Sequence, residues 1–276
     1  MKHYFPLLLL LLAIAGCKPF TYPTYIPHYH VGLSQSFPTK DSVMIVIDNP
    51  LDVRIRVKVL SEQENEILKQ ANPIIVNPRE KREVYFPFDS LEWANLDIGF
   101  NYNWYEVRLT DSLPELRVPF RSGKAYKIMQ GYHGSFSHNS DYSRYALDFT
   151  IPVGDTVNAA WDGYVVGVTQ GHSRGGNDRR LRDYSNFVTI YHPDYGVYTQ
   201  YVHIMKDGAL VEIGDTVSMG QAVGLSGLVG FTSAPHLHFN VVAKDSFDQK
   251  LKSIPAKFGK TLKGSDMKKG ILIRRK

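Results

Sequence analysis

The stretch Ser233-Ala-Pro-His-Leu-His-Phe239 predicts both a fold element and a chemistry. Successive side chains of a β-strand point to opposite faces of the sheet, so His236 and His238 share one face. Leu237 and Phe239 share the other face. The stretch therefore predicts a strand that turns an apolar face to a core and two imidazoles to a groove. Taken alone, the same pattern is compatible with two surface histidines.

Two more stretches place polar groups on predicted strands. In Tyr145-Ala-Leu-Asp-Phe149 the carboxylate of Asp148 lies on a face of small residues, with apolar neighbours behind it. A buried carboxylate needs a partner, and Arg144 is the obvious one if its role is structural. Tyr201-Val-His203 places an imidazole at a strand end. Three polar groups near strand ends, in one glycine-rich region, favour a functional site.

The region after residue 122 holds most of the glycines and histidines of the chain and reads as short strands between turns. Pro152-Val-Gly-Asp-Thr-Val157 is echoed by Glu212-Ile-Gly-Asp-Thr-Val217, which indicates two related half-barrels. Strands are predicted at Tyr145–Ile151, Gly163–Gln170, Phe187–Tyr191, Tyr198–His203 and His236–Val242.

This region resembles the lysostaphin/LytM-type zinc metalloendopeptidases, a family that includes many peptidoglycan hydrolases. The resemblance spans roughly residues 124–258 and implies a LytM-like barrel-sandwich hybrid with a long groove. It rests on Gly134–His138, Tyr145–Phe149, Pro152–Val157, Ala159–Val165, Asn186–Ile190, Tyr201–His203, Gly214–Val217 with Gly220-Gln221, and Ser233–Phe239.

The resemblance implies a Zn²⁺ site and assigns its residues. The implied metal ligands are His138, Asp148 and His238, and the implied catalytic residues are His203 and His236. Three protein ligands leave a fourth position open, as in catalytic zinc sites. A water in that position becomes a nucleophile at neutral pH, because zinc lowers its pKa toward ~7.

The sequence departs from the compact family motif at the first ligand. That motif places the ligand four residues before the aspartate, where this chain has Arg144, a side chain that stays protonated. His138 lies ten residues before Asp148, and the turn-like segment 139–143 can loop it back. His133 is a rival ligand. If neither histidine reaches the metal, the domain is a non-catalytic relative.

The N-terminal residues indicate export. Residues 1–16 read as a lipoprotein signal peptide, because the apolar run 7–14 is too short to span a bilayer and residues 14–17 resemble a lipobox. Cys17 is the only cysteine, so acylation explains a thiol that has no disulfide partner. An ordinary signal peptide is the alternative. Residues 17–40 read as a tether, and the predicted location is the cell envelope.

The remaining segments complete a predicted all-β chain. In residues 41–122, valines and isoleucines alternate with charged residues, and an immunoglobulin-like sandwich is expected without a catalytic cluster. Residues 123–258 form the expected peptidase domain, and residues 259–276 read as a basic tail. An apolar fraction of 43% excludes a disordered chain, and a net charge of +5 without a dense basic stripe predicts no nucleic-acid partner.

The function expected is a zinc metalloendopeptidase that cleaves peptide cross-links of peptidoglycan from a membrane anchor at Cys17. Stem peptides are its expected partners, and loops 171–183 and 225–233 its expected groove walls. Arginines in the first loop would meet substrate carboxylates. The alternative is a non-catalytic scaffold that binds cell wall or activates another wall hydrolase, with an unidentified regulatory partner. A lipoyl-type carrier domain is disfavoured because residues 224–230 offer no acceptor lysine.

Overall fold

A computed structural model describes residues 32–39, 41–61, 66–87, 98–104, 115–244 and 250–275. Almost all regular structure in these residues is β, as predicted. The predicted signal peptide, Cys17 and most of the predicted tether lie outside the described residues. Within the described part of the chain, no helix is both long enough and apolar enough to cross a bilayer.

The N-terminal half forms two three-stranded sheets. One has the order β1-β2-β5 and the other β4-β3-β6, all with antiparallel pairing. The immunoglobulin-like topology stays a prediction. The elements are β1 Gly32–Thr39, β2 Ser42–Asp48, β3 Ile55–Ser61, α1 Glu66–Ala71, β4 Ile74–Val76, β5 Lys81–Pro87 and β6 Ile98–Trp104.

The alternation in the sequence creates the core of this half. Val43, Ile45 and Ile47 of β2 are fully buried, while the residues between them are half-buried. Ile55 and Val57 of β3 are buried in the same cluster. Period-two burial on both strands is what two sheets need to enclose one apolar layer.

The C-terminal half is built on a nine-stranded sheet with the order β16-β11-β13-β14-β19-β9-β8-β23 and β20 beside β19. Smaller sheets are β10-β17-β15, β12-β18 and β22-β21-β7. The strands are β7 Glu115–Leu116, β8 Ala125–Gln130, β9 Leu147–Phe149, β10 Thr156–Asn158, β11 Gly163–Thr169, β12 Gly175–Gly176, β13 Phe187–His192, β14 Val197–Val202, β15 Ile204–Ala209, β16 Thr216–Val217, β17 Ala222–Ser226, β18 Gly230–Phe231, β19 Leu237–Lys244, β20 Leu251–Ser253, β21 Lys257–Phe258, β22 Leu262–Lys263 and β23 Leu272–Arg274, with 3₁₀ helices at Arg179–Tyr184 and Gly264–Asp266.

Strand register brings the predicted site residues together. β19 lies between β14 and β9, so His238 is opposite Val202 on one side and opposite Asp148 on the other. Leu237 and Phe239 enter the main core from the opposite face of β19, which confirms the predicted alternation. The pairing of β19 with β9 is therefore sufficient to bring His238 next to Asp148.

The N-terminal half packs on the same sheet. Its core includes Val166, Tyr191, Tyr198 and Val242, which belong to β11, β13, β14 and β19. Val242 shares a face with His238, four residues away along β19, or about 13 Å at the usual strand rise. One face of the large sheet therefore carries the histidine site at one end and the N-terminal core at the other.

The chain ends of the C-terminal half differ from the predicted segments. Leu116 and Phe120, expected in the sandwich, are buried in the main core of the C-terminal half. Residues 259–276, expected as a basic tail, hold β22, a 3₁₀ turn and β23, with Met267 and Ile273 buried. The segment is basic, but these two apolar residues join the main core.

Candidate active site

Three side chains converge at the end of the sheet. His138 Nε2 lies 3.1 Å from Asp148 Oδ1 and 3.2 Å from His238 Nδ1. His238 Nδ1 lies 2.9 Å from the same Asp148 oxygen. His138 and Asp148 are buried, and His238 is half-buried. These are the three residues that the family resemblance implied as ligands, and the structure brings all three together.

The contact between His138 and Asp148 requires a proton or a metal ion between its two atoms. His138 Nδ1 lies 2.9 Å from the carbonyl oxygen of Gly131, an acceptor, so this nitrogen carries a proton. In a neutral imidazole, Nε2 then holds a lone pair, which points at the carboxylate of Asp148. Two lone pairs at 3.1 Å repel each other unless a proton or a metal ion lies between them.

Burial and the contacts within the cluster shift the pKa values of Asp148 and His138 in opposite directions. Burial disfavours the charged form of Asp148, yet the hydrogen bonds from His138 and His238 hold its pKa well below the usual range. Burial also acts against the charged form of His138, but its hydrogen bond to Asp148 and that carboxylate's charge raise its pKa above the ordinary value. Burial lowers the pKa of His238. The carboxylate is therefore ionised at neutral pH.

A glutamine that sequence reasoning missed supports the cluster. Gln130, the last residue of β8, donates from Nε2 to Asp148 Oδ2 at 3.0 Å and to Ser137 Oγ at 2.8 Å. Its Oε1 accepts the backbone N–H of Phe136 at 3.1 Å. One side chain thus ties the aspartate to the loop that carries His138. No local pattern in the sequence marks Gln130, because its partners lie on other segments.

The loop before β9 carries His138, its rival His133, and Arg144. His138 N–H donates to Gly134 O at 3.0 Å, and this turn places the imidazole beside Asp148. Arg144 pairs with Asp141, so the predicted structural pair with Asp148 does not form. His133 packs its ring edge-on against Tyr145, with centroids 5.2 Å apart, and is not part of the three-residue cluster.

The two implied catalytic histidines stand next to the cluster. Their rings are 4.5 Å apart, and His236 Nε2 lies 3.8 Å from Asp148 Oδ1. His203 Nδ1 donates to Val229 O at 2.7 Å, and His236 Nδ1 donates to Ala234 O at 2.8 Å. Each backbone carbonyl leaves Nε2 as the proton acceptor. Burial, reinforced by the imidazoles of His236 and His238, lowers the pKa of His203 to about 3.

Other residues singled out in the sequence lie elsewhere. Tyr201, considered for the groove, is fully buried in the core, where its hydroxyl accepts the N–H of Ala160 at 2.8 Å. His192 is buried at the end of β13, with Nδ1 donating to Asp162 O at 2.6 Å. His172 is buried against Tyr184. None of the three lines the groove.

A groove of about 1350 Å³ runs over the cluster. Both predicted wall loops contribute, and so do two segments that were not predicted. Phe136 and Phe231 stack across the groove, with centroids 4.9 Å apart and planes 17° apart. The lining includes Gly131–Ser137 from the loop after β8, Arg182 and Asp183 from the first predicted loop, Ser185 just after that loop, Phe231 and Ser233 from the second, and Ser265 and Met267–Lys269 from the C-terminal segment.

Comparison with known families adds a match to part of this half. Residues 142–249 match the model of Peptidase family M23. The matched range contains Asp148, His203, His236 and His238, but it begins four residues after His138. The placement of His138 therefore comes from the folded structure and from the family resemblance rather than from this match.

Several proteins are similar to this chain. An uncharacterized metalloprotease of Buchnera aphidicola subsp. Baizongia pistaciae is 34% identical over 144 residues, which are 50% of this chain and 34% of that protein. The peptidoglycan DD-endopeptidase ShyA of Vibrio cholerae is 37% identical over 97 residues, 35% of this chain and 20% of that protein. The glycyl-glycine endopeptidase ALE-1 of Staphylococcus capitis is 34% identical over 120 residues, 43% of this chain and 30% of that protein.

The chain thus spans about a third or less of the length of these curated relatives. Among solved structures, the catalytic domain of lysostaphin from Staphylococcus simulans is 26% identical. That alignment covers 47% of this chain and 87% of the lysostaphin domain, with a TM-score of 0.33.

Proposed function

Because the C-terminal half of this chain belongs to peptidase family M23, the lysostaphin/LytM family, we propose that the protein is a zinc metalloendopeptidase that cleaves peptide cross-links of peptidoglycan. The single observation that carries the proposal is the convergence of His138 Nε2, Asp148 Oδ1 and His238 Nδ1 within 2.9–3.2 Å of one another. Family members that have lost one of these donors would lack such a cluster.

The donor set fits zinc. Two imidazole nitrogens and one carboxylate oxygen are ligands that Zn²⁺ takes in catalytic sites. The lone pair of His138 that faces Asp148 is satisfied by a cation between them. Bound Zn²⁺ would polarise the scissile carbonyl and lower the pKa of a water in the open position. Gln130 then orients the aspartate, and Gly131 orients His138, in the manner of outer partners of metal sites.

His203 and His236 supply the proton transfers in this proposal. A backbone carbonyl holds each Nδ1–H, so Nε2 is the bare nitrogen of both rings, and that of His236 lies 3.8 Å from Asp148 Oδ1. A bare nitrogen can accept a proton from the attacking water, and the imidazolium formed can then donate to the departing amine. The low pKa of His203 keeps this side chain neutral at neutral pH, so its Nε2 carries no proton.

The groove supports a peptide substrate. It is open and runs past the cluster between several loops, which suits an extended chain better than a compact metabolite. The relatives named above include a peptidoglycan DD-endopeptidase and a glycyl-glycine endopeptidase, both of which act on peptide bonds by their names. This chain is accordingly proposed to take cross-linked wall peptides.

A lipid anchor at Cys17 and a location in the cell envelope complete the proposal. Their support is the short apolar run and the lipobox-like residues before the only cysteine. Mass spectrometry of protein from membranes is expected to find acylated Cys17 at the mature N-terminus. Cys17→Ser should move the protein from the membrane fraction to the soluble fraction. An unmodified, uncleaved N-terminus would contradict the lipid anchor, and the peptidase proposal would be unaffected.

The decisive experiment incubates zinc-loaded protein with purified muropeptide dimers. Cleavage to monomers that stops with a chelator and returns with Zn²⁺ would support the proposal. His138→Ala should be inactive under the same conditions. Zinc-loaded wild-type protein that binds cell wall but cleaves no dimer would favour the non-catalytic scaffold instead.

A further inference from the structure

We propose that the C-terminal segment Gly264–Gly270 forms a carboxylate-binding wall of the groove, with Lys268 and Lys269 as the charges that hold the substrate. This inference rests on the proposed function, because the carboxylate belongs to the peptide being cleaved. The segment lies beyond residues 142–249, the range that matches the peptidase family. Nothing in that match assigns these two lysines a role.

The segment is anchored to the domain at both ends. Gly264 N–H donates to Ala256 O at 2.9 Å, and Gly270 N–H donates to Ile128 O at 2.8 Å. Between them, Met267 is 1% exposed and belongs to the main core. β23 then pairs with β8 in the large sheet. Fixed ends and a buried centre give the two lysines a defined position on the wall.

The same segment touches the residue that orients the first metal ligand. A Cβ placed on Gly131 would lie 2.5 Å from Met267 O and 3.6 Å from the Cα of Lys268. Gly131 O is the acceptor for His138 Nδ1. The backbone of Lys268 therefore lies beside the loop that holds the metal cluster, and Lys268 is among the residues that line the groove.

The charges of the groove favour an anion. Among the described lining residues outside the metal cluster, Lys268, Lys269 and Arg182 are cationic side chains and Asp183 is the anionic one. Arg182 lies over the ring of Phe231 at 5.8 Å, on a wall formed by other loops. Cations on separate walls suit a substrate peptide that carries free carboxylates next to the cleaved bond. Lysine ammonium groups act on such anions as point charges.

The size of the effect follows from exposure. Both lysines are exposed, so each is expected to contribute only weakly to binding. Loss of both lysines should raise KM for a carboxylate substrate by roughly twofold to thirtyfold. The value of kcat should change less than about twofold, because uniform binding lowers KM without changing the chemical step.

The test uses two cross-linked peptide dimers that differ only in a free carboxylate or its amide. The double variant Lys268→Ala/Lys269→Ala is compared with Lys127→Ala/Lys260→Ala, which removes the same charge from exposed positions outside the groove. The expected result is a higher KM for the carboxylate dimer in the first variant only. The amidated dimer should be cleaved alike by all three proteins. Lys268→Arg/Lys269→Arg should keep most of the preference.

Two outcomes would overturn the inference and leave the peptidase proposal standing. One is a wild-type protein that cleaves both dimers with the same KM. The other is a loss in the control variant equal to that in the groove variant. Failure of the peptidase proposal looks different, since no protein would cleave either dimer. Binding of fluorescently labelled dimers, followed by anisotropy, then still tests the wall, and equal binding of both dimers would reject it.

Discussion

The carbonyl oxygen of Gly131 lies 2.9 Å from Nδ1 of His138 and thereby selects which nitrogen faces Asp148. Because the carbonyl accepts only a proton, the lone pair of the imidazole stays on Nε2. His203 and His236 repeat the device with the carbonyls of Val229 and Ala234. Three imidazoles are thus set in one tautomer by backbone groups of three different loops, which prepares the site before any ligand arrives.

The first prediction separates the two candidate ligands in one loop. His138→Ala should lose bound zinc, because it removes a donor and leaves Asp148 with one imidazole partner fewer. His133→Ala should keep zinc, because His133 packs on Tyr145 outside the cluster. Metal content after dialysis, measured by mass spectrometry of the eluted metal, distinguishes them. Zinc retained by the first variant and lost by the second would show that the cluster has been assigned to the wrong histidine.

The second prediction concerns Gln130. Gln130→Ala removes the donor to Asp148 Oδ2 and the acceptor for Phe136 N–H, so zinc affinity should fall about 10- to 100-fold. Gln170→Ala is a matched control, since Gln170 also accepts a backbone N–H, that of Ala209, but lies outside the groove lining. Competition with a colorimetric zinc chelator measures both. Equal affinities for the two variants would remove Gln130 from the site.

The strand pattern made much of the site predictable. Alternation along Tyr145–Phe149 and Ser233–Phe239 was enough to place one aspartate and two histidines on polar strand faces. Antiparallel register did the rest, because β19 pairs with β9 and puts His238 opposite Asp148. For these residues, the alternation of side chains along a strand explains both the sequence pattern and the contact between His238 and Asp148.

Other parts of the site have no local signature. The side chain of Gln130 makes hydrogen bonds to one loop and to β9, and a lone glutamine at a strand end is common. Residues 259–276 read as a basic tail, yet Met267 and Ile273 of this segment are buried in the domain. The composition of the whole segment does not show this, because its packing on the domain depends on one or two apolar side chains.

The third prediction tests the proposed proton acceptor. His203→Ala should retain zinc but lose about 10²- to 10⁴-fold in kcat, the usual contribution of a positioned acid or base. His172→Ala removes another buried histidine that does not line the groove, and it should leave kcat nearly unchanged. Steady-state rates on a cross-linked peptide, together with zinc content, make the comparison. A fully active His203→Ala enzyme would transfer the role to His236 alone.

The fourth prediction links pH to stability through His192. Burial lowers its folded pKa to about 4, although Asp162 and Asp194 oppose this shift. The unfolded chain takes up this proton near pH 6.5, so stability is complete above that pH and falls as the pH drops toward 4. The loss from this residue is at most about 1.4 kcal/mol per pH unit.

The measurement compares wild type with His192→Gln in urea at several pH values. The other buried histidines are the same in both proteins. The difference between the two slopes of unfolding free energy against pH, from pH 6.5 to 4, therefore reports on His192. The variant is expected to be less stable at pH 7 but to lose less stability on acidification. Parallel slopes would show that His192 does not titrate in this range.

The fifth prediction concerns the joint between the two halves. Tyr198 is fully buried in the N-terminal core although it belongs to β14, while Tyr201 of the same strand enters the main core. Either Tyr→Ala change should cost about 3–5 kcal/mol, by analogy with other large aromatic truncations. Only Tyr198→Ala should speed amide hydrogen exchange in β2 and β3, because of the two rings only that of Tyr198 belongs to the apolar cluster that contains residues of those strands. Unchanged exchange in β2 and β3 would mean that the N-terminal core is stable without the sheet of the peptidase domain.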